Sequence, residues 1–180
     1  LLNIENYFLT NLIFKSPLLV FDFLIFLLLI KEFSKQKEKV LFFYFLNPII
    51  FYATFMHSQL DIIPTFFILA SVFALKKYRV LTSSILFGLA ISCKIHVLIL
   101  LPLILFYIFK RTNVKNTIIF FFSCLIIFLL IDLPFLFSEG FYNMVLFNEK
   151  QSEIFHSIMN FGSTSIVMPV FCIAIIYYDI

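Results

Sequence analysis

Residues 57–94 read HSQLDIIPTFFILASVFALKKYRVLTSSILFGLAISCK, and their layout decides the fold. A polar turn ending in Asp61 is followed by an apolar run to Leu75, a basic break at Lys76, Lys77, Tyr78 and Arg79, and a second apolar run from Val80 to Cys93. Lys94 closes it. Nearly every face of both runs is apolar, so periodicity says little, and the polar breaks define the elements instead. Two such runs joined by a short basic turn read as a helical hairpin in an apolar solvent.

The pattern extends in both directions. The chain of 180 residues is 63% hydrophobic, with 28 phenylalanines and 13% charged residues, beyond the roughly 45–50% apolar content of a soluble domain. The expected fold is all-α, a polytopic transmembrane helical bundle of about seven spans. These fall at residues 17–33, 40–56, 62–76, 80–93, 95–109, 116–133 and 163–178, within a single transmembrane domain over 1–180. Ser16-Pro17 reads as the start of the first helix, with Ser as N-cap and Pro at the first helical position. Residues 134–160, mixing Phe141, Val145 and Leu146 with Glu139, Glu149 and Glu153, read as an external loop or an interfacial helix.

Leu1–Phe14 lack the basic region and small-residue cleavage site of a signal peptide, so the chain reads as a fragment truncated at both ends and inactive alone. Cys93, Cys124 and Cys172 lie in apolar runs without metal-like spacing and read as packing residues.

Basic residues assign the sides. Lys31, Lys35, Lys37, Lys39, Lys76, Lys77, Arg79, Lys110, Arg111 and Lys115, ten of the thirteen, fill alternate connections, which the positive-inside rule places in the cytoplasm. HSQLD and the turn at 93–96 then face the non-cytoplasmic side. Helices 62–76 and 80–93, about 21–22 Å long at ~1.5 Å per residue, fall short of a ~30 Å hydrocarbon core, so either both polar turns lie recessed in a shared outer pocket or the helices extend several residues past these bounds.

Each polar residue has competing readings. Asp61, in D-I-I-P, suits a helix N-cap with Pro64 in the first turn; it also suits a carboxylate that holds a sugar hydroxyl or acts as a base. His57 and Gln59 on the same turn make the cluster richer than one cap requires. Metal binding by His57 and Asp61 lacks a clear third ligand and is the weaker reading. Lys94, where an ammonium costs roughly 2.5–3.5 kcal/mol at mid-bilayer, either binds a phosphate with His96 as a second donor, snorkels at an outer turn, or pairs with Asp61 or Asp22. Asp22 reads as an inward-facing partner of Lys15, Asp132 as a structural cap before Pro134, and Gly88 as a close-packing position.

The order of features carries a resemblance: K-S-P-L-L-V-F-D at 15–22, N-P at 47–48, H-S-Q-L-D-I-I-P at 57–64, K-K at 76–77, G-L-A-I-S-C-K at 88–94 and L-L-P at 100–102. Over residues 15–111 the chain resembles bacterial integral-membrane GT-C glycosyltransferases, above all those related to the GPI mannosyltransferases. In those proteins a W/H-G-Q-x-D-x-x-P turn precedes a G-L-A-x-x-x-K turn. Ser58 stands where that pattern has Gly, and Ile95-His96-Val97 lacks its aromatic-then-proline ending.

The resemblance implies an inverting glycosyltransferase that moves a mannose-like hexose from a polyprenyl-phosphate donor to an acceptor on the non-cytoplasmic face. It also implies a bacterial inner (cytoplasmic) membrane location. His57, Gln59, Asp61, Lys94 and His96 become substrate-binding residues, and the catalytic base is expected upstream of Leu1. Membrane lipids, the lipid-linked donor and an unidentified acceptor are the expected partners, with no nucleic acid. No cofactor is expected, and a divalent cation stays open. The rival readings are a transporter or lipid flippase lined by Asp22, Asp61 and Lys94, and a noncatalytic membrane scaffold whose polar turns tolerate alanine.

Overall fold

Apolar runs without alternating polarity satisfy their backbone groups within each segment, and helices result. The computed structural model describes residues 4–52, 60–135, 137–141, 143, 157–161 and 164–167. The chain forms two compact units, Leu1–Asp132 and Leu133–Ile180.

The first helix, α1 (Ile4–Glu32), does not begin at Pro17 but runs through it. Pro17 has no N–H for the carbonyl of Ile13, and the Ser16 hydroxyl donates to that oxygen instead, at 2.8 Å. Ser16 therefore repairs a proline gap rather than capping a helix. The expected crossing at 40–56 is also not one helix in its described part. It consists of α2 (Lys37–Val40), a π-helical turn (Leu41–Phe45) and α3 (Pro48–Phe51). Pro48 disfavours helical backbone at the residue before it, and Asn47 is extended, its side chain accepting from the Ile49 N–H at 2.9 Å.

The quoted hairpin folds as read, into α4 (Ile62–Lys76) and α5 (Val80–Cys93). Its turn is a Schellman motif: Tyr78 N–H donates to Leu75 O at 2.9 Å and Arg79 N–H to Ala74 O at 3.0 Å. Tyr78 sits in the left-handed region at φ 57°, a position glycine fills more cheaply. Midway along, Ser71 and Ser83 lie fully buried with their hydroxyls 2.8 Å apart. The Ser83 hydroxyl donates to Ser71 O at 2.9 Å, and the Ser71 hydroxyl reaches Ser83 O at 3.0 Å. Interhelical hydroxyl bonds of this kind contribute about 0.6 kcal/mol each on average. Ser71→Ala leaves Ser83 its backbone acceptor, so denaturation of the reconstituted protein should show a loss of only about 0.5–1 kcal/mol.

The sequence expectation of one helix at 95–109 gives way to a 3-10 segment (Ile95–Leu100) followed by α6 (Leu101–Arg111), with Pro102 in the first turn of α6, where its missing N–H breaks no helical hydrogen bond. Asn113 caps α7 (Val114–Asp132), accepting from the Asn116 N–H at 2.8 Å. Phe87, Ala90, Ile91, Val97, Ile108 and Phe120 form the main core among α5, α6 and α7. Leu18, Ile25 and Ile62 form a second one where α1 meets α4.

Among the described helices, α7 alone is long and apolar enough to cross a membrane, and only 11% of its apolar stretch is buried within the protein. The helical character is thus as expected, but a bundle of seven spans is not what the described residues show. In the second unit, α8 (Glu139–Phe141) is a single turn, and most of the expected 134–160 loop lies outside the described residues. The expected crossing at 163–178 is corrected in its described part. β2 (Thr164–Val167) pairs antiparallel with β1 (Ser157–Phe161), Phe161 opposite Thr164 and Met159 opposite Ile166. Thr164, Ile166 and Val167 are β-branched, which favours a pleated strand over a helix start.

Candidate functional site

The hairpin register places the site. From the Ser71–Ser83 contact, the chain runs back along α4 to Asp61 and onward along α5 to Lys94, by nearly equal distances, and these two residues meet. Lys94 Nζ lies 2.6 Å from Asp61 Oδ1, with the side chains 41% and 54% exposed.

Asp61 occupies the N-cap position of α4, yet its side chain makes no capping bond. This corrects the capping assignment. Thr65 instead binds Asp61 through the backbone, its hydroxyl donating to Asp61 O at 2.6 Å, and the carboxylate is left for Lys94. Lys94 itself ends α5 in extended conformation, φ −155° and ψ 112°, which turns its side chain out of the helix path just before the 3-10 segment. An ion pair this exposed stabilises a fold by at most about 1 kcal/mol, so stability alone is a weak reason to hold an ammonium here.

His96 follows on the 3-10 segment, and its Nδ1 is buried without a hydrogen-bond partner. Asp132, read from sequence as a structural cap, ends α7 with 8% exposure and a buried Oδ2 that also has no partner. Phe87 packs on Phe120, Gly88 lies against Cys124 and Ile127, and Cys93 lies within electrostatic range of Asp132, so α5 and α7 run parallel. Asp132 therefore sits at the same end as Lys94. The signal for it was a carboxylate closing a 19-residue apolar helix, which a capping role explained too readily.

Asp22 is separate from this site: it is buried on α1 and accepts from the Tyr44 hydroxyl at 2.7 Å. His57 and Gln59 lie outside the described residues. No cluster of three metal-ligating side chains occurs among the described residues.

A family model described as ALG3 protein matches residues 3–161. The chain belongs to the ALG3 protein family. The ALG3 match runs well past Arg111, where the motif resemblance ends, and takes in α7 and Asp132. It is a mannosyltransferase family, so the expected mannosyltransferase relationship holds and a glycosyltransferase role is supported. No curated protein and no solved structure matches the chain.

Proposed function

We propose that this ALG3-family chain transfers a mannose-like hexose from a polyprenyl-phosphate donor to an acceptor hydroxyl, with inversion, at the membrane face where Asp61 and Lys94 meet. The observation that supports this most is the 2.6 Å contact of Lys94 Nζ with Asp61 Oδ1, which aims a half-exposed ammonium from the end of an apolar helix. On this reading the fold is of the GT-C type, and the face is the non-cytoplasmic one, because the basic connections gather at the opposite end.

In the reaction, the acceptor oxygen forms a bond to the anomeric carbon as the bond from that carbon to the phosphate oxygen breaks. The bonding pair leaves on the polyprenyl phosphate, and the acceptor proton passes to a base. Lys94 pairs with the negative charge that grows on the departing phosphate, where an oriented cation acts most strongly. Asp61 holds Lys94 in place before the donor arrives. His96 Nδ1 and Asp132 Oδ2, buried and unpaired, are available to sugar or acceptor hydroxyls. His57 and Gln59 join this group by their place in the sequence, four and two residues before Asp61.

The test is donor choice. Full-length protein in proteoliposomes should transfer labelled mannose from a polyprenyl-phosphate mannose to an added glycolipid acceptor mixture, and should give no product from a nucleotide sugar. Movement of the labelled lipid across the bilayer without any new glycosidic bond would refute the enzyme reading in favour of the flippase.

A further inference from the structure

A cleft lies between α1 and α4, with its mouth at the end of α4 remote from the Asp61–Lys94 pair. Its volume is about 380 Å³. On α1 its wall is the stripe Leu24, Leu27 and Leu28, at helical spacing, which ends at Lys31. On α4 the parallel stripe of Phe66, Ala70 and Phe73 ends at Lys77. Glu32–Lys77 at 3.2 Å holds these two helix ends together. Arg79, which opens α5, completes the rim.

The cleft is therefore apolar over two to three helical turns and basic only at its mouth. The charges there do not cancel, since Glu32 is paired with Lys77 and, among the described residues, no carboxylate pairs with the Lys31 or Arg79 side chain. Lys35, Lys37 and Lys39 follow directly on the connection after α1 and add to the same positive field. A wholly apolar protein helix would cover the wall without neutralising the rim. A soluble anion would neutralise the rim without covering the wall. One molecule does both, an acidic lipid with its phosphate at Lys31 and Arg79 and an acyl chain along the Leu24–Phe73 wall.

We propose that the α1–α4 cleft is a binding site for an acidic phospholipid, its basic mouth lying about 20 Å from the Asp61–Lys94 pair along the ~1.5 Å-per-residue rise of α4. A basic group beside an acidic lipid surface strengthens binding about fivefold, so Lys31 and Arg79 together are worth roughly 25-fold.

The experiment measures lipid binding by native mass spectrometry and by thermal shift on the full-length protein in neutral detergent. The probes are phosphatidylserine and phosphatidylcholine with the same acyl chains, and glycerol 3-phosphate. Phosphatidylserine should bind more tightly than phosphatidylcholine and raise the unfolding temperature. The Lys31→Gln/Arg79→Gln variant should lose that preference by roughly 25-fold, Ala70→Phe should block the cleft with every charge retained, and Lys35→Gln/Lys39→Gln should change it by less than fivefold. Equal binding of the two lipids, full preference in the Gln variant, or competition by glycerol 3-phosphate as strong as by phosphatidylserine would overturn the proposal. Sugar transfer in the Gln variant is read separately, so failure here leaves the transferase test untouched.

Discussion

Lys94→Ala in the full-length protein should lower kcat/KM for hexose transfer by about 10²–10³-fold, the loss seen when a preorganised group that stabilises developing charge is removed. The same substitution should cost no more than about 1 kcal/mol of stability, because the Asp61 pair is half exposed. The divergence of these two numbers is the point of the measurement. A purely structural ion pair would lose both together, and the charge-reversed double variant Asp61→Lys/Lys94→Asp would then restore both. On the transferase reading the reversed pair recovers stability and leaves transfer low, since a carboxylate now meets the departing phosphate. Asp61→Asn keeps the side chain's shape and a hydrogen bond to Lys94, and should reduce kcat/KM less than Lys94→Ala. Steady-state kinetics beside chemical denaturation decides the matter, and an unreduced kcat/KM in Lys94→Ala ends the assignment.

The α4–α5 hairpin was legible to the residue because polar breaks mark both its ends and a basic turn its middle. The same reasoning failed wherever proline was the only punctuation. Pro17 stays inside α1 because a neighbouring hydroxyl can replace its missing donor, and nothing in composition distinguishes Ser16 in that role from Ser16 as a cap. Pro48 and Pro102, in contrast, do divide their runs. Asp61 shows the limit at a site. The capping position was right, but whether the carboxylate turns to its own backbone or to a cation 33 residues away depends on helix register. That register is fixed by Ser71 and Ser83, which carry no signal in a run read only for hydrophobicity. His96 was already singled out by its place beside Lys94, whereas Asp132 came to notice as more than a cap through a missing partner, a property of packing and not of sequence.

Gly88→Leu should be the most damaging single change in the helical unit and should reach the site through the fold. A β-carbon built on Gly88 would lie 2.9 Å from the Cys124 carbonyl oxygen and 2.9 Å from Ile127 Cβ. The first is backbone and the second is the root of a β-branched side chain, so neither can swing away and α5 must part from α7. Alanine gives the bracket. It gains about 1 kcal/mol in helix propensity over glycine but incurs roughly 1–3 kcal/mol of overpacking, so Gly88→Ala should be between neutral and about 2 kcal/mol destabilised. Leucine adds three more carbons to the same gap for a similar propensity gain, and its cost should exceed 3 kcal/mol. Lys94 lies six residues beyond Gly88, about 9 Å along the α5 path, so the displacement carries to the ammonium. Transfer should therefore fall further in Gly88→Leu than in Ser71→Ala, even in detergent and temperature conditions where both remain folded. Unfolding curves for the three variants, read beside their transfer rates, test this order, and a Gly88→Leu protein as stable as the parent would show that α5 and α7 do not cross this closely.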